Sequence, residues 1–141
     1  MTLEETAQQI VDEFSVYEDW LDKYNYLIET GRDVPLIDVQ YKTNNYLITG
    51  CQSRVWLHAS FSEGKIYFSA DSDALITKGI INLLIRVLSG RSPEEVLQAD
   101  LGFLDQIGLK EHLSPTRSNG LLSMIKQMKL YAQVFKLKMS N

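Results

Sequence analysis

Residues 55–70, VWLHASFSEGKIYFSA, contain the pattern that decides the fold. Residues 55–61 and 65–70 are short runs rich in β-branched and aromatic side chains, which is typical of strands. Glu63-Gly64 lies between them and has the composition of a tight turn. We therefore expect an antiparallel hairpin, and the apolar run at residues 46–48 predicts a third short strand.

Helical patterns lie on both sides of this hairpin. Apolar residues recur at helical spacing over residues 3–14, and a second helix is predicted from Ser15 with Gly31 as its stop. Residues 74–89 are apolar on nearly every face, which predicts a buried central helix. Gly79 inside that helix lowers its intrinsic stability and indicates close packing against a neighbour.

Three more helices are predicted toward the end of the chain. Ser92, with Glu95 three residues later, fits a capping box that starts a short helix. Another short helix is predicted around residues 101–107, and the last one over residues 119–137. The expected fold is α+β, a small three-stranded antiparallel sheet covered by helices, in one domain over residues 1–141.

Composition excludes several classes of protein. A net charge of −4 and a pI near 5.1 argue against a nucleic-acid-binding protein, which usually carries a basic excess. The start of the chain, MTLEETAQQI, lacks the layout of a signal peptide. The longest apolar stretch, residues 79–88, is interrupted by Asn82 and Arg86 and is too short to span a bilayer. With one cysteine and no export signal, we expect a cytoplasmic protein.

The single cysteine, Cys51, lies in the run GCQSRVW at residues 50–56. A lone cysteine cannot close an internal disulfide or by itself hold a zinc ion or an iron–sulfur cluster. Gly50 lets the chain turn sharply just before the sulfur. Cys51 is either a buried structural residue, as lone cysteines commonly are, or a reactive thiol. The polar, turn-like context argues against a core position, and the residues alone leave both interpretations open. Arg54 and Arg117 are the candidate cations for stabilising a thiolate.

The two histidines offer an alternative function. Cys51 with His58 or His112 would form the pair used by cysteine hydrolases, or a peroxidase site. His58 lies in a predicted strand and His112 in a polar, loop-like stretch. Two histidines are background in a chain of this length, and no short ligand spacing indicates a metal site.

Two polar segments precede predicted helices. Asp71 and Asp73 lack the glycine and distal glutamate of a calcium loop, so we interpret them as caps of the central helix. Ser118 or a neighbour is predicted to cap the last helix. Arg117 is not explained in this way, because a cation at a helix N-terminus opposes the helix dipole. A carboxylate, a ligand or a tertiary contact would account for it.

Three separated blocks now point to a family: residues 50–56, residues 71–80 with their DSDA start and KGI end, and residues 112–125 with their HLSPTR start. In order and spacing they resemble the SufE/CsdE-type sulfur acceptors, which are partners of cysteine desulfurases in iron–sulfur cluster assembly. The resemblance covers nearly the whole chain. It departs mainly at residues 42–46 and 92–98, away from the cysteine loop.

The resemblance implies a fold like that of the IscU scaffold and a role as sulfur carrier rather than free-standing enzyme. Cys51 matches the acceptor cysteine, which takes sulfane sulfur as a persulfide from a desulfurase similar to SufS or CsdA. The pyridoxal phosphate belongs to that partner, so no cofactor is expected here. The sulfur then passes to a downstream iron–sulfur scaffold, and the protein is expected to be a monomer or homodimer.

The resemblance also assigns supporting residues. Gly50, Gln52 and Ser53 belong to the loop of the acceptor cysteine, which in the family can shelter in an apolar cavity and swing out on docking. Arg117 is expected near this loop, where it supports thiolate formation or docking. Asp71 and Asp73 match an acidic pair at the start of the central helix, with capping or docking as their role.

Overall fold

The computed structural model describes residues 1–139. Helices flank a central hairpin, in the order α1 (Leu3–Ser15), α2 (Trp20–Thr30), β1 (Val55–Ser62), β2 (Lys65–Ser72), α3 (Leu75–Leu88), α4 (Pro93–Gln98), α5 (Phe103–Gln106), α6 (Leu109–His112) and α7 (Pro115–Met139). The connection from α2 to β1 contains short 3₁₀ turns, at Gly31–Asp33, Val39–Tyr41 and Asn44–Tyr46.

The predicted hairpin is confirmed. Strands β1 and β2 pair antiparallel along their whole length, from Val55 opposite Ser72 to Ser62 opposite Lys65. Glu63 and Gly64 both have positive φ, at 51° and 80°. Two such residues in succession are what a two-residue turn needs to match the twist of the flanking strands.

The predicted third strand at residues 46–48 is wrong, and the sheet among the described residues has two strands. Asn44–Tyr46 forms a 3₁₀ turn instead, and only Leu47 makes an isolated antiparallel bridge, with Trp56. The extended pairing ends after the Ile48 N–H, which donates to the Val55 carbonyl at 2.8 Å. Gly50, at φ +90°, then turns the chain away before a ladder can extend.

Helix starts follow capping side chains. Helix α2 begins at Trp20 rather than at the predicted Ser15, because the Asp19 carboxylate accepts from the Asp22 N–H at 2.9 Å. The capping box of Ser92 and Glu95 is confirmed at the start of α4.

Helix α7 begins at Pro115, before the predicted start at residue 119. The Ser114 hydroxyl accepts from the Arg117 N–H at 3.3 Å, so Ser114 caps this helix. Ser118, the predicted cap, lies inside the helix.

Helix α3 is the buried centre of the molecule, as predicted. It packs on α2, on strand β2, and on α1 and α7. A Cβ added to Gly79 would lie 2.2 Å from the Leu27 carbonyl oxygen of α2. Glycine at this position therefore allows the two helix backbones to approach each other. Across the core, the Tyr131 hydroxyl of α7 donates to the Leu57 carbonyl of β1 at 3.0 Å.

A charged network fixes the last turn of α3. The Arg86 guanidinium donates two hydrogen bonds to the Glu13 carboxylate of α1, at 2.8 and 2.7 Å, and the Tyr26 hydroxyl donates a third at 2.6 Å. The hydrogen bond from Arg86 holds the pKa of Glu13 below its ordinary value. Burial, together with the Glu13 carboxylate, raises the pKa of Tyr26 to about 12.

Candidate functional site: the Cys51 loop and its cavity

The cysteine loop lies directly on helix α7 because residue 50 has no side chain. Gly50 has φ +90°, a conformation that strains any other residue type. A Cβ at this position would lie 2.5 Å from the Ser123 Oγ of α7. Both the turn and the close approach therefore require glycine at position 50.

The Cys51 thiol is half-buried against the first turns of α7. Its Sγ donates a weak hydrogen bond to the Gly120 carbonyl oxygen at 3.6 Å. Burial raises the pKa of the Cys51 thiol above its ordinary value. The pKa shift has no contribution from a neighbouring cation among the described residues. In this position the sulfur is sheltered, and burial disfavours its thiolate form.

A small cavity of about 70 Å³ opens beside the sulfur. The loop, helix α3 and helix α7 each supply part of its wall, which consists of Cys51, Gln52, Ser53, Thr77, Ile80, Thr116, Arg117, Gly120 and Met124. Since one water molecule takes up about 30 Å³ in the liquid, the cavity has room for one further sulfur atom.

The structure brings together Cys51, Gln52, Ser53 and Arg117 from the predicted set. Arg117 lies in the first turn of α7 and is exposed at the cavity mouth. Gly50 does not line this cavity but forms the support of the loop on α7. Thr77 was not predicted from the sequence. Ile80 also lines the cavity and lies three residues later, a helical spacing that places both residues on the same face of α3.

Asp71 and Asp73 do not cap α3, contrary to the prediction. The N-cap is Ala74, which has no side-chain capping bond. Strand β2 continues to Ser72, and these two side chains bond to groups outside the hairpin strands instead. The Asp73 carboxylate accepts from the Arg54 N–H at 3.0 Å and so holds the end of the cysteine loop.

Asp71 lies in an ion-pair cluster on the other side of the hairpin end. Its carboxylate contacts the Lys42 ammonium at 2.9 Å and the Lys78 ammonium at 3.4 Å. Burial raises the pKa of Asp71, but hydrogen bonds from Lys42 and from the Ser72 N–H, with the charge of Lys78, outweigh it and lower the pKa overall.

Neither histidine lines the Cys51 cavity. The His58 ring stacks on Tyr41 with centroids 3.9 Å apart. His112 lies in α6 rather than in a loop, and its ring stacks on Trp20 at 4.3 Å. The geometry thus gives no support to a cysteine–histidine pair. Over residues 1–139, no cluster of three or more His, Cys, Asp or Glu side chains is placed to hold a metal ion.

Comparison with known proteins identifies the family. The SufE family, described as "Fe-S metabolism associated domain", matches residues 8–132. The chain belongs to the SufE family. An uncharacterised SufE-like protein of Rhizobium meliloti (strain 1021) is 37% identical over 133 residues, which cover 91% of this chain and 95% of that protein. The family assignment places the protein in iron–sulfur metabolism.

Two further relatives extend the comparison. SufE-like protein 1 of Arabidopsis thaliana, whose name gives a chloroplastic/mitochondrial location, is 40% identical over 122 residues, covering 86% of this chain but 33% of that protein. The solution structure of a hypothetical protein from Thermus thermophilus superposes with a TM-score of 0.74 at 25% identity, over 91% of this chain and 93% of the other. The α+β fold of this SufE-family protein is therefore shared with a solved structure.

None of the helices described is both long enough and apolar enough to cross a membrane. A cytoplasmic location stays a prediction.

Proposed function

We propose that this SufE-family protein, as one domain over residues 1–141, accepts sulfane sulfur on Cys51 from a cysteine desulfurase and delivers it for iron–sulfur cluster assembly. It acts as a carrier and activator, and the pyridoxal phosphate stays with the donor. The observation that carries the proposal is a thiol on a glycine-hinged loop beside a cavity with room for one more sulfur.

The transfer is a displacement at sulfur. The Cys51 thiol loses its proton, and the Sγ lone pair forms a new S–S bond to the terminal sulfur of the donor persulfide. The donor's own S–S bond breaks, and its electron pair leaves on the donor sulfur, which takes up a proton. The products are a Cys51 persulfide and a donor thiol, so no external oxidant or reductant is needed.

Transfer requires the loop to leave α7. In the sheltered position, burial raises the pKa of the Cys51 thiol and so disfavours the thiolate, and the Sγ faces Gly120. Moving the loop outward removes that burial, which lowers the pKa of Cys51 and raises the thiolate fraction. At the sulfur itself, the movement is opposed by the weak bond to Gly120. At the end of the loop, Arg54 is held through its N–H by the Asp73 carboxylate and through its carbonyl by the Ser72 hydroxyl and the Asp73 N–H.

Arg117 is the residue we propose for docking the donor. Its guanidinium is exposed at the cavity mouth, where an approaching protein meets it before reaching the sulfur. An exposed arginine at this position is suited to a carboxylate of the partner. The Asp71 carboxylate is already engaged by the Lys42 and Lys78 ammonium groups, so we assign Asp71 a structural role.

The test is a desulfurase assay with free cysteine and a cognate enzyme. We expect the wild-type protein to stimulate alanine release and to gain the mass of one sulfur atom on Cys51. Cys51→Ser should lose both effects because it has no thiol to attack the donor. The variants His58→Gln and His112→Gln serve as controls and should retain both.

Two results would contradict the proposal. One is a wild-type protein that takes up no sulfur from a cognate desulfurase. The other is turnover of a peptide or a peroxide that depends on Cys51 and on either histidine, which would identify a thiol enzyme instead.

A further inference from the structure

Thr77 is a buried polar residue that the proposed transfer step leaves without a role. It lies in the first turn of α3, is 7% exposed and lines the cavity beside Cys51. Threonine hydroxyls in helices commonly donate to a carbonyl one turn back. Thr6 and Thr30 do so, at 3.0 and 2.8 Å. The Thr77 hydroxyl makes no such bond and has no partner among residues 1–139.

The free hydroxyl faces the cavity. Throughout the described chain, no fully enclosed side-chain nitrogen or oxygen lacks a hydrogen-bond partner. The unpartnered Thr77 oxygen is therefore in contact with open space, and the open space next to this residue is the cavity that it shares with Cys51. A buried hydroxyl without a hydrogen-bond partner lowers stability. We therefore expect a ligand in the cavity to supply the partner that Thr77 lacks.

When Cys51 carries a second sulfur atom as a persulfide, the groups around it must provide different hydrogen bonds. The thiol has a hydrogen to donate, and the Gly120 carbonyl accepts it. In a persulfide that hydrogen is gone from Sγ, and the terminal sulfur, which is more acidic than a thiol, carries negative charge. An anion needs donors, and a carbonyl oxygen offers none. Ile80 and Met124 line the same cavity and offer none either.

The remaining polar side chains of the wall differ from Thr77 in burial. Gln52, Thr116 and Arg117 are exposed and Ser53 is only half-buried, so water competes for their hydrogen bonds. Thr77 offers an enclosed hydroxyl, where a hydrogen bond to an anion is strongest.

We infer that the Thr77 hydroxyl donates a hydrogen bond to the terminal sulfur of the Cys51 persulfide once the loaded loop has returned to α7. This inference rests on the proposed function. Thr77 is then a binding group for the cargo: it holds the terminal sulfur inside the cavity, where solvent thiols reach it slowly. It takes no part in the transfer from the donor, which occurs with the loop outside.

The test compares Thr77→Val, which keeps the shape and removes the hydroxyl, with Thr77→Ser, which keeps the hydroxyl. Each full-length protein is loaded with inorganic polysulfide, freed of excess reagent and treated with dithiothreitol. Mass spectrometry then follows the loss of one sulfur atom. We expect Thr77→Val to lose its sulfur about tenfold faster than wild type, since a hydrogen bond to a charged group is worth at least this factor. Thr77→Ser should stay close to wild type.

A second readout separates a cargo contact from a structural role. Alkylation of the unloaded Cys51 thiol as a function of pH should be the same in all three proteins, because the thiol hydrogen-bonds to the Gly120 carbonyl and not to Thr77. If Thr77→Val does not fold, Thr77→Ala takes its place in the comparison. Alanine also lacks the hydroxyl and has a higher helix propensity than valine.

Each remaining outcome is decisive. Equal sulfur loss in wild type and Thr77→Val would overturn the inference, and so would a Thr77→Ser protein that loses sulfur as fast as Thr77→Val. In both cases normal loading of Cys51 would leave the proposed function intact. A wild-type Cys51 that takes up no sulfur from either polysulfide or a desulfurase would overturn both.

Discussion

The last turn of helix α3 and the cysteine loop beside its first turn are held in very different ways. At its last turn, Arg86 and Tyr26 place three short hydrogen bonds on the Glu13 carboxylate. At its first turn, the neighbouring Cys51 is held by one weak sulfur contact of 3.6 Å. From this contrast we expect the loop to leave its position without unfolding the rest of the molecule, because the sulfur itself is held by few strong contacts.

The largest loss of folding stability is expected from a substitution where helices α2 and α3 cross. We expect Gly79→Ala to lower the free energy of unfolding by about 3 kcal/mol, because its Cβ would lie 2.2 Å from the Leu27 carbonyl oxygen. Urea denaturation measures this. The matched control is Gly120→Ala on α7, whose Cβ meets the Cys51 Sγ at an ordinary 3.6 Å and should cost no stability. Equal losses of stability in the two variants would contradict the conclusion that Gly79 is needed for the close approach of α2 and α3.

The charged network is the next target. Arg86→Met should lower the free energy of unfolding at neutral pH by about 2 kcal/mol, because it removes two charge-assisted hydrogen bonds from a partly buried carboxylate. Lys110→Met is the control: it breaks an exposed pair with Asp105 at 3.6 Å and should change stability by less than about 0.5 kcal/mol. A loss no greater than that of the control would refute the role of the network.

The same network predicts a pH dependence. The pKa of Glu13 is lowered in the folded protein, so its contribution is present above the ordinary value of 4.5 and is lost as pH falls through the lower folded pKa. The stability difference between wild type and Glu13→Gln should therefore shrink on acidification from pH 7 to below that range. Thermal denaturation across this range would show it, and a constant difference would exclude the effect.

The smallest expected effect on stability belongs to the loop. Asp73→Ala removes the bond to the Arg54 N–H, so Cys51 should spend more time outside its cavity. We expect iodoacetamide to alkylate Cys51 severalfold faster at fixed pH, with less than about 1 kcal/mol lost in unfolding. Asp71→Asn, which changes a carboxylate that pairs with lysines instead, is the control and should keep the wild-type rate. No change in rate with Asp73→Ala would show that the loop is held elsewhere.

Local patterns in the sequence predicted much of this molecule. The hairpin, the buried helix α3 and the capping box of Ser92 follow from spacings within a few residues, and each is present. The close packing at Gly79 was also predictable, because glycine in the interior of an apolar helix costs stability unless a neighbouring backbone needs the space.

One error has a local cause, and those at the candidate site arise where a residue distant in the sequence decides. Residues 46–48 have strand composition, yet the turn at Gly50 ends their pairing after one bridge. Asp71 and Asp73 precede a helix, yet they bond to Lys42 and to the Arg54 N–H, which sequence spacing does not reveal. Thr77 was missed for the same reason: in the sequence it is one polar residue in an apolar helix, and only the fold places it beside Cys51.

Gly50 limits the amino-acid substitutions that this protein can tolerate during evolution. Every amino acid other than glycine brings a Cβ, which here would lie 2.5 Å from the Ser123 Oγ. Ser123→Ala would remove that oxygen and leave the Ser123 Cβ position at 3.4 Å, so the penalty of the first substitution depends on the second. The steric part of the penalty at position 50 is therefore linked to position 123, far away in the sequence, while the positive φ of Gly50 penalises other residues whatever residue occupies position 123.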